Sequence, residues 1–294
     1  MAMNLIEALL LGIVEGVTEF LPVSSTGHLT IAEGLLGLPV DDLGVTAFTA
    51  IIQVGAIAAV IIYFRSDIGR LAGAWLRGLV NGQARKAPDY RFAWYVILGS
   101  IPIGIVGFVA QGLISGPLRN LWVVVVALVG WSAVMWIAER VGKRDRPESS
   151  LNLRDAVIIG LVQCFALIPG VSRSGATISA GLLRNLDRVA ATRLAFFLAI
   201  PALVAAGAYE AIKEASVIST DVGWLPTVLA MGVSFVVAYA SIAWLLRFVT
   251  KHSITVFIWY RVALAAVIAA LLSTGTLSPT YILGSLRPTQ AGAG

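Results

Sequence analysis

Six stretches of this chain, 43–64, 92–113, 120–139, 194–212, 224–247 and 254–273, are apolar almost throughout. Each is long enough to cross a bilayer as a helix, which takes about 20 residues. Inside the hydrocarbon no water satisfies the backbone, so stretches of this kind must close their own hydrogen bonds as helices. Composition agrees. Of 294 residues, 58% are hydrophobic and 13% charged, against about 25% charged in a soluble domain, and the mean hydropathy is +0.89. The expected fold class is an all-α polytopic membrane protein. A net charge of +5 can signal nucleic acid, but here the cations sit between apolar stretches, where membrane topology accounts for them; no nucleic-acid partner is expected. The opening Met-Ala-Met-Asn has no basic n-region, and no small-residue cleavage site follows the first apolar run, so insertion is expected to use the helices themselves. The single cysteine, Cys164, has no internal disulfide partner and reads as a small apolar residue.

Two further pairs of apolar runs, 5–20 with 27–38 and 155–168 with 175–183, are too short and too interrupted to span. They are expected to form re-entrant helix hairpins, covering 5–38 and 155–183, whose irregular tips must be buried in protein or line a cavity. The chain also repeats itself. A gap-free shift of 148 positions pairs Asn4 with Asn152, Gly12 with Gly160, Ser24 with Ser172, Gly27 with Gly175 and Phe48 with Phe196. Two repeats, 1–148 and 149–294, are therefore expected, each a hairpin plus three transmembrane helices within one membrane domain.

Cationic residues set the orientation. Residues 65–91 carry six Lys or Arg, 140–154 five, 184–193 three, and Arg247 with Lys251 two; only Arg119, Lys213 and Arg287 lie in other connections, and Arg173 and Arg261 fall at membrane depth. With the four cationic loops inside, both termini lie outside, and the first hairpin enters from outside and the second from the cytoplasm. An odd number of crossings per repeat makes the halves inverted, and such folds place their sites near the midplane where the repeats meet.

The two hairpin tips carry the polar residues. The first, 15–28, reads Glu-Gly-Val-Thr-Glu-Phe-Leu-Pro-Val-Ser-Ser-Thr-Gly-His. Glu15 and Glu19 share a helix face, Pro22 ends that helix, and Ser24, Ser25 or Thr26 can cap a second one beginning near Gly27. Ionisable groups inside an apolar segment are costly and default to function. The second tip, Pro169-Gly-Val-Ser-Arg-Ser-Gly-Ala-Thr177, has Arg173 where the first has Ser25. Its glycines admit backbone N–H groups to a ligand, a helix near Gly175 presents its positive end, and Ser172, Ser174 and Thr177 add hydroxyls. Arg173 supplies a planar fork suited to phosphate oxygens. Carboxylates facing a phosphate repel it unless a cation intervenes, and Mg2+ or Ca2+ takes such oxygen ligands; Glu15 and Glu19 fit that role. Both glutamates also fit a buried ion pair with Arg173 or Arg261 that merely joins the repeats. His28 is a candidate general acid, base or nucleophile. Arg261, seven residues inside the last span, is expected to point inward toward the site. Gln163 suits either hydrogen bonding in the site or ordinary packing, and His252 reads as an interfacial residue. Zinc-ligand clusters, P-loops and dinucleotide fingerprints do not occur in the sequence.

With those residues in place, the chain resembles the bacterial undecaprenyl-pyrophosphate phosphatases, also known as bacitracin-resistance proteins. The resemblance rests on EGVTEFLPVSSTGH at 15–28 and PGVSRSGATISAGLL at 169–183, and a similar length and span pattern extend it over nearly the whole chain. It implies removal of one phosphate from undecaprenyl pyrophosphate, recycling the lipid carrier for cell-wall synthesis. It further implies dependence on a divalent cation and a site in the cytoplasmic (inner) membrane open to its periplasmic or outer side. Carried over, Glu15, Glu19, Ser25, His28 and Arg173 form the catalytic group. Ser24, Ser172, Ser174 and Thr177 would line the phosphate site, and Thr26, Gly27, Gly175 and Arg261 join them as candidate substrate-binding residues. The expected partners are the polyprenyl pyrophosphate and membrane lipids, with a homodimer left open. A second reading is a phosphate-lipid flippase or transporter, because inverted repeats with broken helices at the midplane also serve transport.

Overall fold

A computed structural model describes residues 3–38, 42–114, 117–118 and 120–277; Arg119 and Arg287 lie outside the described residues. Among those described, the chain is helical with no β-strand. Six helices are long and apolar enough to cross a membrane: α3 (Leu43–Tyr63), α5 (Pro88–Val109), α7 (Leu121–Val141), α10 (Arg188–Val217, continued by a π turn at Ile218–Val222), α11 (Trp224–Lys251) and α12 (Thr255–Ser273). They coincide with the six apolar stretches of the sequence. The fold is an all-α polytopic membrane protein.

The four remaining hairpin helices are shorter: α1 (Leu5–Thr18), α2 (Ser25–Leu35), α8 (Leu153–Gln163) and α9 (Arg173–Leu183). At about 1.5 Å per residue none exceeds roughly 21 Å, short of a hydrocarbon core of about 30 Å. Asn4 caps α1 in a box with Glu7, and Asn152 caps α8 in a box with Asp155, which satisfies the orphan N–H groups of both starts. The second helix of each pair begins at Ser25 and Arg173, two residues before the expected Gly27 and Gly175. Ser24 and Ser172 stand before them at φ 77° and 70°, a left-handed turn that redirects the chain at once. Pro22 lacks an N–H and disfavours helix at the residue before it, so α1 ends at Thr18 and residues 19–23 form turns.

Loop 65–91 holds more order than its charge suggests. It contains the amphipathic helix α4 (Arg65–Val80), which buries Leu71, Ala74 and Gly78 and rests on α5. A four-residue helix, α6 (Gln111–Ile114), follows α5.

Close backbone approach holds the short helices against the long ones. A Cβ on Gly12 of α1 would lie 2.6 Å from the Ala230 carbonyl oxygen of α11, and one on Gly160 of α8 would lie 2.0 Å from the Gly99 oxygen of α5. The largest apolar core, with Phe20, Phe64, Phe196 and Phe197 buried within it, lies beneath the first hairpin tip. Phe20 meets Phe196 edge-on at 5.6 Å, so the turn bearing Glu19 is anchored by its next residue.

Candidate active site

Both hairpin tips meet at one place. Ser174 Oγ donates to the Leu21 carbonyl oxygen at 2.9 Å, and Arg173 Nη2 donates to Glu19 Oε1 at 2.9 Å. Glu19 Oε2 in turn accepts the Ser25 hydroxyl at 2.9 Å. One carboxylate therefore bridges the serine of the first tip and the arginine of the second. Because α2 and α9 start at Ser25 and Arg173, both groups stand on the first turn of a helix, where free N–H groups and the positive dipole end favour an anion.

Glu15 lies one turn before Glu19 and is 1% exposed. Its Oε1 has no hydrogen-bond partner, an orphaned buried oxygen that is costly to leave unmatched. Glu15 and Ser25 line a cavity of about 250 Å3 whose wall also includes Thr26, Glu33, Thr49 and Gln53. That space suits a phosphate group and water, and is too small for a polyprenyl tail.

The other expected site residues divide by what their polar atoms do. Ser172 caps α9, with its Oγ accepting from Gly175 N at 3.2 Å and lying 3.2 Å from Ser174 Oγ. Ser24 contributes its carbonyl oxygen, 2.7 Å from His28 Nδ1. Thr26 is exposed at the cavity, and Gly27 keeps the α2 backbone near Val124 of α7. The Thr177 hydroxyl donates back to the Arg173 carbonyl oxygen at 2.9 Å, so it serves α9 itself. Gln163 is fully buried with both amide atoms unpartnered. His252 stacks on Phe248 at the end of α11, away from the tips.

Arg261 points inward, as expected, and is 0% exposed. Its Nη2 donates to the Gly170 carbonyl oxygen at 2.9 Å and the Leu128 oxygen at 3.3 Å, its Nε to Ser132 Oγ at 3.2 Å, and its Nη1 to the Pro22 oxygen at 3.5 Å. Its donors are thus spent on the backbones of both tips, which it ties to α7. Sequence reasoning missed two members of this surround. Tyr260 puts its hydroxyl 2.6 Å from His28 Nε2, 232 positions away in the chain, and Ser132 supports Arg261. Adjacency of Tyr260 to an arginine at membrane depth is the one signal that pointed to it.

The family described as Bacitracin resistance protein BacA matches residues 8–267, a range that contains both tips and Arg261. The chain belongs to that family. Among its relatives, Undecaprenyl-diphosphatase 3 of Frankia casuarinae is 58% identical over 278 residues, covering 95% of this chain and all of the relative. Undecaprenyl-diphosphatase 1 of Streptomyces avermitilis is 55% identical, covering 94% and 99%, and the Undecaprenyl-diphosphatase of Cutibacterium acnes 53%, covering 94% and 100%. Membership in the BacA family thus extends over both halves of the chain.

Proposed function

We infer that the protein is an integral membrane undecaprenyl-diphosphatase, hydrolysing undecaprenyl pyrophosphate to undecaprenyl phosphate and phosphate. In this reading it recycles the lipid carrier for cell-wall synthesis and confers bacitracin resistance. The observation that carries it is the bridge through Glu19, with Ser25 Oγ and Arg173 Nη2 each 2.9 Å from one of its oxygens. A hydroxyl on a carboxylate, facing an arginine fork at a helix start, is an activated nucleophile beside a phosphate cradle. The relatives are named for hydrolysis, so this reading is kept over a flippase.

The chemistry follows from those contacts. Arg173 and the N–H groups of the α2 and α9 starts bind the terminal phosphate and neutralise charge on the transferring group. Ser25 Oγ attacks that phosphorus, the bridging P–O bond breaks, and undecaprenyl phosphate leaves with its tail still in the membrane. The serine proton goes to Glu19, which already accepts it. Water then attacks the phosphoserine, and Ser25 Oγ recovers its proton from Glu19 as phosphate departs.

A divalent cation, Mg2+ or Ca2+, fits the residues present: both carboxylates are hard oxygen donors, and the buried Glu15 Oε1 lacks a partner. No cluster of three His, Cys, Asp or Glu side chains suited to a metal occurs among the described residues. Glu15 and Glu19 would therefore hold the ion together with substrate phosphate oxygens, and when bound it supplies further neutralisation of the pyrophosphate. The site is read as opening to the outer side of the cytoplasmic membrane, with a homodimer compatible with this arrangement.

The test is phosphate release from undecaprenyl pyrophosphate by protein purified in detergent, where hydrolysis proceeds and transport has no compartments to act between. Ser25→Ala is expected to lose at least about 100-fold in kcat, and a brief wild-type turnover to leave an acid-stable phosphoenzyme. Ser25→Ala keeping about a tenth or more of the activity, or an acid-labile phosphoenzyme lost in His28→Ala, removes serine as the nucleophile.

A further inference from the structure

Both ring nitrogens of His28 are engaged. Nδ1 lies 2.7 Å from the Ser24 carbonyl oxygen, which only accepts, so Nδ1 carries a hydrogen. In the neutral ring Nε2 then holds a lone pair, and its neighbour is the Tyr260 hydroxyl at 2.6 Å, which donates to it. The two rings are parallel within 5°, with centroids 5.4 Å apart. Ser24, whose carbonyl fixes one side of the ring, sits at φ 77°, so the tip backbone is bent into the conformation that presents this oxygen. Tyr260, which fixes the other side, precedes Arg261, and Arg261 is locked to Pro22 and Gly170. The α12 turn that clamps both tips from within therefore also holds His28 from without.

We propose that Tyr260 is a positioning residue for His28, its hydroxyl holding the imidazole in the Nδ1–H tautomer with the Nε2 lone pair turned toward α12. The proposal rests on the phosphatase reading for its consequence but not for its geometry. The Ser25 hydroxyl already points its proton to Glu19, which assigns the attack on phosphorus to Ser25 and leaves the Nε2 lone pair to take up a proton. His28 instead serves the second step. Tyr260 lies on the membrane-spanning α12 and is 48% exposed, a surface that faces lipid, so the water that reaches Nε2 as the hydroxyl turns away comes from the side of the hairpin tips. Water displacing it donates to Nε2: as the water oxygen bonds to phosphorus, its proton passes to Nε2. The Ser25 Oγ–P bond breaks and Oγ regains the proton held by Glu19. His28 returns its proton to the departing phosphate, and Tyr260 closes on Nε2 again.

The chain has two histidines, which makes the tautomer directly readable. Protein labelled with 15N-histidine in detergent, with His252→Gln removing the second signal, should show a protonated Nδ1 and an unprotonated Nε2 at neutral pH. Tyr260→Phe keeps the stacked ring and removes only the hydroxyl. It should give a mixed tautomer spectrum and a kcat lower by about tenfold or more, with KM changed by about twofold or less. A wild-type spectrum with hydrogen on Nε2 overturns the proposal, as does a Tyr260→Phe protein with both tautomer and kcat unchanged. Absence of any phosphatase activity in wild type, with the Nδ1–H tautomer present and lost in Tyr260→Phe, would instead overturn the phosphatase reading and leave the pairing intact.

Discussion

Glu19 meets two demands at once: it accepts the Ser25 hydroxyl on one oxygen and the Arg173 guanidinium on the other. An amide cannot meet both, because one of its two atoms is a donor and would face either Arg173 or the serine hydrogen. Glu19→Gln is therefore expected to lower kcat by at least about 100-fold while the protein inserts and purifies normally. A cation titration followed by a signal from the ion itself, such as Mn2+ resonance, should show weakened binding. Unchanged activity and unchanged ion binding would make the carboxylate a structural brace. Nearby, Arg261 illustrates a different duty for a buried charge. It has no carboxylate partner among the described residues and is balanced by carbonyl oxygens of Pro22, Ala127, Leu128 and Gly170. A fork with five donors can satisfy several carbonyls that an ammonium reaches poorly. The sequence located the charge and its inward direction, but not that its partners would be backbone oxygens, which look alike at every residue.

Among the elements, the short helices owe their positions to glycines and caps, and the cation-rich connections to ion pairs. Asp155, fully buried at the start of α8, accepts from Arg146 at 2.6 Å and Arg184 at 2.9 Å, joining the second hairpin to its flanking loops. Glu139 takes Arg144 and Arg188. Asp67 on α4 accepts from Arg70 at 3.0 Å and Arg193 of α10 at 3.2 Å, which fastens the amphipathic helix to the bundle. Partial burial alone would raise the Asp67 carboxyl, but hydrogen bonds and charge from Arg70 and Arg193 outweigh it and hold the group below its ordinary value. A depressed carboxyl contributes stability above its unfolded pKa of about 4 and loses it as pH falls through the folded value. Asp67→Asn should thus lower the melting temperature at neutral pH by an amount worth about 1 kcal/mol or less, and the gap from wild type should close below about pH 4. A gap that stays constant from neutral to acid pH would show that the charge is not the cause. Helix α4 was hidden from a reading by hydropathy because its apolar stripe is short and its cations advertise a loop. The six long helices were legible because bilayer thickness imposes a length that composition alone reveals.

For the whole molecule, we propose that the halves 1–148 and 149–294 are related by an inverted two-fold. Several structural features recur at the 148-residue spacing seen in the sequence. Capping boxes start α1 at Asn4 and α8 at Asn152, and left-handed serines precede α2 and α9 at 24 and 172. Gly12 and Gly160 are points of close backbone approach to α11 and α5. Repeats of a sequence conserve such backbone devices because each is dictated by local geometry. What broke the likeness is the tips themselves: Ser25 stands opposite Arg173, and Glu15 opposite Gln163, so two copies of one turn present complementary groups, a hydroxyl from one and a guanidinium from the other, on the same carboxylate. Sequence alignment exposed that pairing, whereas the contact of His28 with Tyr260 joins non-equivalent elements and left no repeat signal. Inversion makes a prediction about sides of the membrane. The loops holding Gln83 and Ser149 are cationic and belong to the cytoplasm under the charge rule, while Asp221, between α10 and α11, belongs outside. All three are exposed, so a cysteine at any of them meets solvent in the folded protein. In a Cys164→Ala background, an impermeant thiol reagent added to intact cells should label Asp221→Cys and spare Gln83→Cys and Ser149→Cys, with all three reacting after lysis. Equal labelling of Asp221→Cys and Gln83→Cys in intact cells would put both connections on one side, and the two hairpins would then not enter from opposite faces.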